Sequence, residues 1–373
     1  MPNDKSKMLE VDHLYIHIPF CHRICPYCSF HKHLPGDTDT GRFVDTVLRE
    51  LELHQRTHKI TEKTIYLGGG TPTFLSRQHL QRLLTGLPFS DKTSEFCIEA
   101  NPATFGPDKA ETIRDAGVNR ISLGIQSFDP ETLATLGRDH SPDDAQNAYQ
   151  ILRDANFPAV NIDLMFAIPG QPLATWLDTL EKTIALQPDH ISAYNLNYEE
   201  DTEYFEKLAS GEFKQFPDID VDYFTEASTR LQEAGFDHYE ISNYARPGHK
   251  SIHNQSYWQG HDYLGLGPGA VSTVNGTRWK NVADTKLYMQ LIEREGPSAA
   301  AREIEHLSDS DIRTERIALL LRTSDGAPLT YFPDQQDHLA QLSAESLIEF
   351  TAESVILTHK GKPLADEISA SLI

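Results

Sequence analysis

Runs of apolar residues at strand spacing alternate with runs at helix spacing through the first two thirds of this chain. That alternation leaves few folds open. Leu14–Ile18 reads as a strand stopped by Pro19, and Phe43–Leu53 as a helix with Phe43, Val44, Val47, Leu48 and Leu51 on one face. Thr64–Leu67 is a strand running into three glycines, and Gln78–Leu87 a helix. The pattern repeats with strand Glu95–Ala100, helix Lys109–Ala116 and strand Asn119–Ile125. Helix Pro142–Ala155 follows, opened by Ser141 as N-cap with proline in the first turn. Strand Ala159–Phe166, helix Pro172–Gln187 and strand His190–Leu196 complete it. About six β-then-α units predict an α/β fold with a parallel sheet and helices outside. Periodicity alone leaves an open doubly wound sheet and a partial barrel equally available.

The texture changes near residue 236. Tyr239–Tyr244 and Tyr263–Val274 read as β-like, and Asp284–Arg294, Ser308–Arg322 and Gln335–Phe350 as helices. Ser354–Leu357 with the following His359-Lys360-Gly361-Lys362 reads as a short β-ribbon. This predicts two units, 1–235 and a smaller mixed α+β unit over 236–373. A chain of 373 residues is long enough for two domains of ordinary size.

Composition narrows the function classes. Lys and Arg total 33 against 55 Asp and Glu, a formal net charge of −22. Such a surface argues against non-specific nucleic-acid binding, which needs a positive footprint, and against docking on anionic lipid by charge. No apolar run reaches the 18 or more residues of a membrane span, and Met1–Glu10 is polar, so the expected compartment is the cytoplasm.

Three of the four cysteines, Cys21, Cys25 and Cys28, form a C-x3-C-x2-C run in the loop after the first strand. Clustered thiols in a reducing compartment bind metal more readily than they form disulfides. Three thiolates can hold three corners of an iron–sulfur cubane, leaving one iron open; the fourth cysteine, Cys97, lies inside a strand among apolar neighbours. The competing reading is a Cys3His zinc site completed by His22 or His31. Further along, Gly68-Gly69-Gly70-Thr71-Pro72-Thr73 follows a strand, where glycine lets a ligand approach the backbone. Glu99, Gln126 and Asp163 fall toward the C-terminal ends of successive strands, and Arg138 lies in the loop Leu136-Gly137-Arg138-Asp139-His140. Parallel β/α architectures build their pockets there.

The cysteine run followed by an aromatic, together with the glycine motif, resembles the radical S-adenosylmethionine (SAM) enzymes. The segments around Glu99, Gln126, Arg138 and Asp163 are similar to those of oxygen-independent coproporphyrinogen III oxidase and its relatives. The resemblance implies a partial (β/α)6 barrel and a [4Fe–4S] cluster on Cys21, Cys25 and Cys28, its open iron chelating SAM. It implies SAM contacts from Tyr15, Tyr27, Gly69, Gly70, Thr71, Glu99, Gln126, Arg138, Asp163 and Asn197. Within that family the oxidases carry a further Cys two residues after the third; this chain has Phe30 there, and only 14 residues precede Tyr15, where the oxidases have a longer extension.

The motif His253-Asn254-Gln255-Ser256-Tyr257-Trp258 instead resembles the heme chaperone branch. On the residues alone, His253 is a hydrogen-bonded core histidine and Trp258 a core aromatic. With the resemblance, His253, Tyr257 and Trp258 become a heme site, imidazole being a heme ligand. The implied function is binding heme and passing it to a client hemoprotein such as a respiratory enzyme. The alternative is oxidative decarboxylation of coproporphyrinogen III. A homodimer and partner-mediated membrane association are compatible with this branch, but no feature of the sequence carries either. Leu357–Gly361 and Asp366–Leu372 resemble the wing and last helix of a winged-helix unit, read here as a structural or partner-contact element because the net charge disfavours DNA.

Overall fold

A computed structural model describes residues 8–373. Six strands, β1 (Leu9–Ile18), β2 (His58–Gly69), β3 (Glu95–Ala100), β4 (Arg120–Gln126), β5 (Ala159–Phe166) and β6 (His190–Asn195), pair in parallel and in sequence order. Their connections carry α1 (Thr40–His54), α2 (Arg77–Gly86), α3 (Pro107–Asp115), α4 (Pro130–Thr135), α5 (Pro142–Asp154) and α6 (Leu173–Ala185). Sequential parallel strands joined by helical crossovers are the open form of a β/α barrel. The strands are buried because both faces are covered. Ile16, Ile18, Ile65, Leu67, Ile98, Ile121, Leu123, Ile162 and Leu164 are fully enclosed and pack with Phe43, Val47, Leu80, Leu83 and Trp176 from the helices.

Side chains cap the helix starts, Ser141 as the sequence predicts and Asp39 in addition. Asp39 accepts from the amides of Gly41 and Arg42 at the head of α1, and Ser141 with Asp144 forms a capping box on α5. Two helices beyond the predicted set follow β6, α7 (Glu203–Ala209) and α8 (Pro217–Glu233). The buried residues Tyr223, Phe224, Ala227 and Leu231 of α8 recur at helical spacing, a signal that was available in the sequence.

The change of pattern at 236 marks the end of the β/α alternation but does not divide the sheet. Strands β7 (Asp237–His238) and β8 (Asn243–Ala245) extend it antiparallel beyond β6. Helix α9 (Ile252–Trp258) then leads to β9 (Tyr263–Leu266), which pairs parallel with β1 at the opposite edge. Strands β10 (Val271–Val274), β11 (Thr277–Asn281) and β12 (Ala301–His306) continue outward, giving one 12-stranded sheet among the described residues. Helices α10 (Thr285–Arg294) and α11 (Pro297–Ala300) link β11 to β12.

A second hydrophobic cluster, from Ile317 to Leu372, holds the last segment together. It comprises α12 (Asp309–Leu321), β13 (Ala327–Pro328), α13 (Gln336–Ala344), β14 (Ile348–Phe350), β15 (Ser354–Leu357) and α14 (Ala365–Ser371). Two expectations change here. Gln335–Phe350 is not one helix: Ser346 adopts φ +60°, which ends α13 and releases Ile348–Phe350 as a strand. The ribbon partner of β15 is therefore the preceding β14, not residues 359–362, where Gly361 turns back toward Thr358. Among the described residues no helix is long and apolar enough to cross a membrane.

Candidate functional site

Loops at the C-terminal ends of β1–β6 surround a cavity of about 430 Å³. Its floor and walls are side chains from the strands themselves, including Tyr66, Glu99, Ser122, Asp163 and Ser192. The three clustered thiols look into it. The cysteine loop is pinned at both ends: the amide of Cys21 donates to His33 O at 3.1 Å, and the amide of His33 to Pro19 O at 2.8 Å. Within it, the Cys28 amide donates to Cys25 O at 3.2 Å. Thr71 Oγ1 lies 3.7 Å from Cys21 Sγ, and Arg138 Nη1 lies 3.8 Å from Cys25 Sγ. Burial raises the pKa of Cys21 and Cys28. A bound cation would reverse that, because ligation draws the thiolate form.

The two histidines that could complete a Cys3His zinc site each have another neighbour. Among the described residues no three His, Cys, Asp or Glu side chains converge on one ion position. His22 instead points to Asp139 at 3.4 Å, and the His31 ring stacks on His17 with centroids 5.6 Å apart.

The glycine motif is sterically required. Gly69 has φ +109°, and a Cβ there would stand 2.5 Å from the His17 ring. A Cβ on Gly70 would stand 2.8 Å from Phe20 O, beneath the cysteine loop. Glu99 receives the Tyr66 hydroxyl at 2.9 Å and the Gly69 amide at 3.1 Å. Burial, reinforced by Asp163 and offset in part by these donors, lifts its pKa to about 7. Asp163 accepts from Ser122 Oγ at 2.9 Å and Asn161 Nδ2 at 2.7 Å, and burial raises its pKa as well. Gln126 ends β4 in the left-handed region at φ +70°, just past a register shift, which is local strain of the kind found where a side chain is aimed at a ligand. Arg138 Nη2 donates to Gly124 O at 2.7 Å, while its buried Nε has no partner among the described residues. A buried guanidinium nitrogen without an acceptor is costly unless an anionic ligand meets it.

Of the sequence-predicted residues, Cys21, Cys25, Cys28, Tyr27, Gly69, Gly70, Thr71, Glu99, Gln126, Arg138, Asp163 and Asn197 all line this cavity. Tyr15 does not. It sits behind Tyr66, stacked at 6.2 Å, with its hydroxyl 2.9 Å from His17 Nδ1. Tyr66 itself was missed, although it precedes the glycine motif by two positions on an alternating strand.

The His253 motif forms α9, which covers the opposite end of the barrel. Ser251 caps it, and the Glu95 carboxylate accepts from Ser251 Oγ and from the amides of Ile252 and His253 at 2.9–3.1 Å. The three proposed heme residues do not converge. His253 turns toward the barrel, its Nδ1 2.7 Å from Thr64 Oγ1 and its ring stacked on Tyr66 at 5.0 Å. Trp258 faces Arg322, whose guanidinium carbon lies 5.4 Å from the ring centroid. Tyr257 is exposed on the lip of a second cavity of about 460 Å³, which also touches His261, Tyr263, Arg278 and Arg316.

Comparison with known proteins places this geometry. Residues 15–183 match the Radical SAM superfamily. The chain is 32% identical to the heme chaperone HemW of Bacillus subtilis over 96% of its own length and 98% of that protein. It is 34% identical to HemW of Mycobacterium tuberculosis, covering 96% and 94% of the two chains. Identity to the Escherichia coli HemW is 40%, over 69% of this chain and 68% of that one. The fold matches the structure of coproporphyrinogen III oxidase (HemN) from Escherichia coli with a TM-score of 0.84 over 99% of this chain and 91% of that one, at 22% identity. A barrel with a thiol loop at one mouth, and full-length similarity that runs on through α9 and the C-terminal segment, make this chain a member of the HemW family of radical SAM proteins.

Proposed function

We propose that this protein is a heme chaperone: it binds heme and passes it to a client hemoprotein, while holding a [4Fe–4S] cluster and SAM in the barrel. The observation that carries the reading is the likeness to HemW proteins along nearly the whole of both chains. It includes the C-terminal third, where α9 displays Tyr257 at the surface. In this reading Cys21, Cys25 and Cys28 ligate three irons. Gly69, Gly70 and Thr71 present backbone to SAM, and Glu99, Gln126, Arg138, Asp163 and Asn197 bind its polar groups, with Tyr27 as aromatic support and Tyr15 backing Tyr66 from outside the cavity. When bound, the reduced cluster would supply one electron to the SAM sulfonium.

The protein's own contribution is orientation and charge. The Glu99 carboxyl, held at a pKa near 7 mainly by burial, is poised to ionise when a cation enters. The Arg138 guanidinium stays charged beside Cys25 and offers its unpartnered Nε to an anionic group. Phe30, 69% exposed on the cysteine loop, occupies the position where the oxidases bring a fourth thiol, so no further thiol shields the loop there.

The test is hemin binding to the anaerobically reconstituted full-length protein, beside a coproporphyrinogen assay. Near-stoichiometric heme retention without protoporphyrinogen formation is expected. Failure to hold heme together with protoporphyrinogen formation would replace the chaperone reading by the oxidase one.

A further inference from the structure

Three polar side chains stand on one rung of the parallel sheet. Register sets Ser122 of β4 beside Asn161 of β5, and Asn161 beside His190 of β6. All three line the barrel cavity and are almost fully enclosed. Asp163 lies two residues further along β5, so its side chain points to the same face, one step nearer the mouth.

The hydrogen bonds along this rung run in a single direction. Asn161 Nδ2 lies 2.7 Å from Asp163 Oδ1 and 2.7 Å from Ser122 Oγ. The amide must present its NH2 there, because a carbonyl oxygen would repel the carboxylate. Its Oδ1 therefore faces His190 Nδ1 at 2.6 Å, and His190 must donate from that nitrogen. Burial, with Arg120 and His249 nearby, holds the ring neutral, so Nε2 is left to accept. The Tyr239 hydroxyl meets it at 2.7 Å and in turn receives the Ser251 amide at 3.2 Å. Every donor from Ser251 onward thus points toward the Asp163 carboxylate, an order in which each bond polarises the next. Both ring nitrogens of His190 are occupied inside this chain, which leaves the ring no polar atom for a ligand. Asp163 depends on such donors. It is enclosed, and of its charged neighbours Arg120 favours a second charge there while Glu99 opposes it.

We propose that His190 is a positioning residue of the SAM site: by fixing the Asn161 amide it aims the Asp163 carboxylate into the cavity. This rests on the reading of that cavity as a SAM site and adds to it a residue whose polar atoms no ligand reaches. The experiment is equilibrium dialysis with labelled SAM on the full-length, cluster-reconstituted protein, with iron and sulfide content and circular dichroism recorded for each variant. His190→Phe removes both nitrogens; affinity should fall about fivefold, as for one lost hydrogen bond, with cluster content unchanged. His190→Asn, whose amide nitrogen can stand where Nδ1 stood, should regain most of that loss. Asn161→Ala should match His190→Phe, and full affinity there would overturn the assignment even if His190→Phe does not fold. In an Asp163→Ala background no carboxylate remains to be aimed, and His190→Phe should cost less than about twofold. An equal loss in both backgrounds, or no recovery in His190→Asn, would mark a general packing role and overturn the assignment while leaving SAM binding intact. Absence of SAM binding by the unsubstituted protein, or full affinity in Asp163→Ala, would remove the reading of the site itself.

Discussion

Single side chains divide the barrel cavity into a thiol wall and a polar wall, and substitutions separate the two. Cys25→Ala removes one of three thiols and its contact with Arg138, so iron and sulfide content should fall to a small fraction after reconstitution. Glu99→Gln leaves the thiols alone and replaces a carboxylate held by Tyr66 and Gly69 with a neutral amide. Cluster content should stay while SAM affinity drops about tenfold, the ~1.4 kcal/mol of one charge-assisted hydrogen bond. Equilibrium dialysis with labelled SAM reads it, and equal loss of cluster and SAM in Glu99→Gln would contradict the division. These residues were legible in the sequence because each lies near a strand end or in a short loop motif. Tyr66 was not. A tyrosine inside an alternating strand has no motif of its own, and only the fold brings its hydroxyl to Glu99 on the neighbouring strand.

Helix α9 is short, and its N-terminus is satisfied from outside itself. Three donors meet the Glu95 carboxylate, which is enclosed at the start of β3 with the Arg120 guanidinium 3.9 Å away. Removing one member of such a buried set strands the others. Glu95→Ala should lower the unfolding free energy by about 3 kcal/mol and loosen α9 in particular. Denaturant titration gives the first, and hydrogen exchange at the amides of Ile252 and His253 the second; unchanged exchange there would refute the capping role. Strands and helices of the alternating region were readable because their period and caps agree locally. The end of α13 was not, since Ser346 takes a left-handed turn without glycine or proline to announce it. The short strands β11 and β12 also escaped, because exposed positions such as Glu303, Ile304 and Glu305 carry no clean alternation of buried and exposed types.

Across the whole molecule, buried imidazoles dominate the acid response. Burial holds His13, His17, His54 and His140 near a pKa of about 4, and His238 and His253 near about 3. Unfolding returns each to the ordinary value of 6.5, so the unfolded chain binds more protons and stability is lost as pH falls from 6.5 toward 4. Glu50 and Glu99, pushed up to about 7 by burial, act in the other direction, and Asp163 and Glu240 add to them. Those groups favour the folded state below 7, and that contribution fades as pH rises through 7. Six imidazoles outweigh the carboxyls near pH 5. Denaturant midpoints should drop between pH 6.5 and 4.5 with a slope of about two or more protons taken up on unfolding. A flat or rising profile there would show that these histidines are hydrated in the folded protein.

The pairing of β1 with β9, and of β6 with β8, carries a consequence for how the molecule is made. A nascent chain that has emerged only as far as β6 has six strands in order but two bare margins. The first margin stays open until a segment some 250 residues later leaves the ribosome. Exposed strand margins recruit other strands, and closure across so long a loop is slow. The cysteine loop therefore precedes β9 in synthesis by more than 200 residues, and both margins of the six-strand core gain their neighbours only from the last third of the chain.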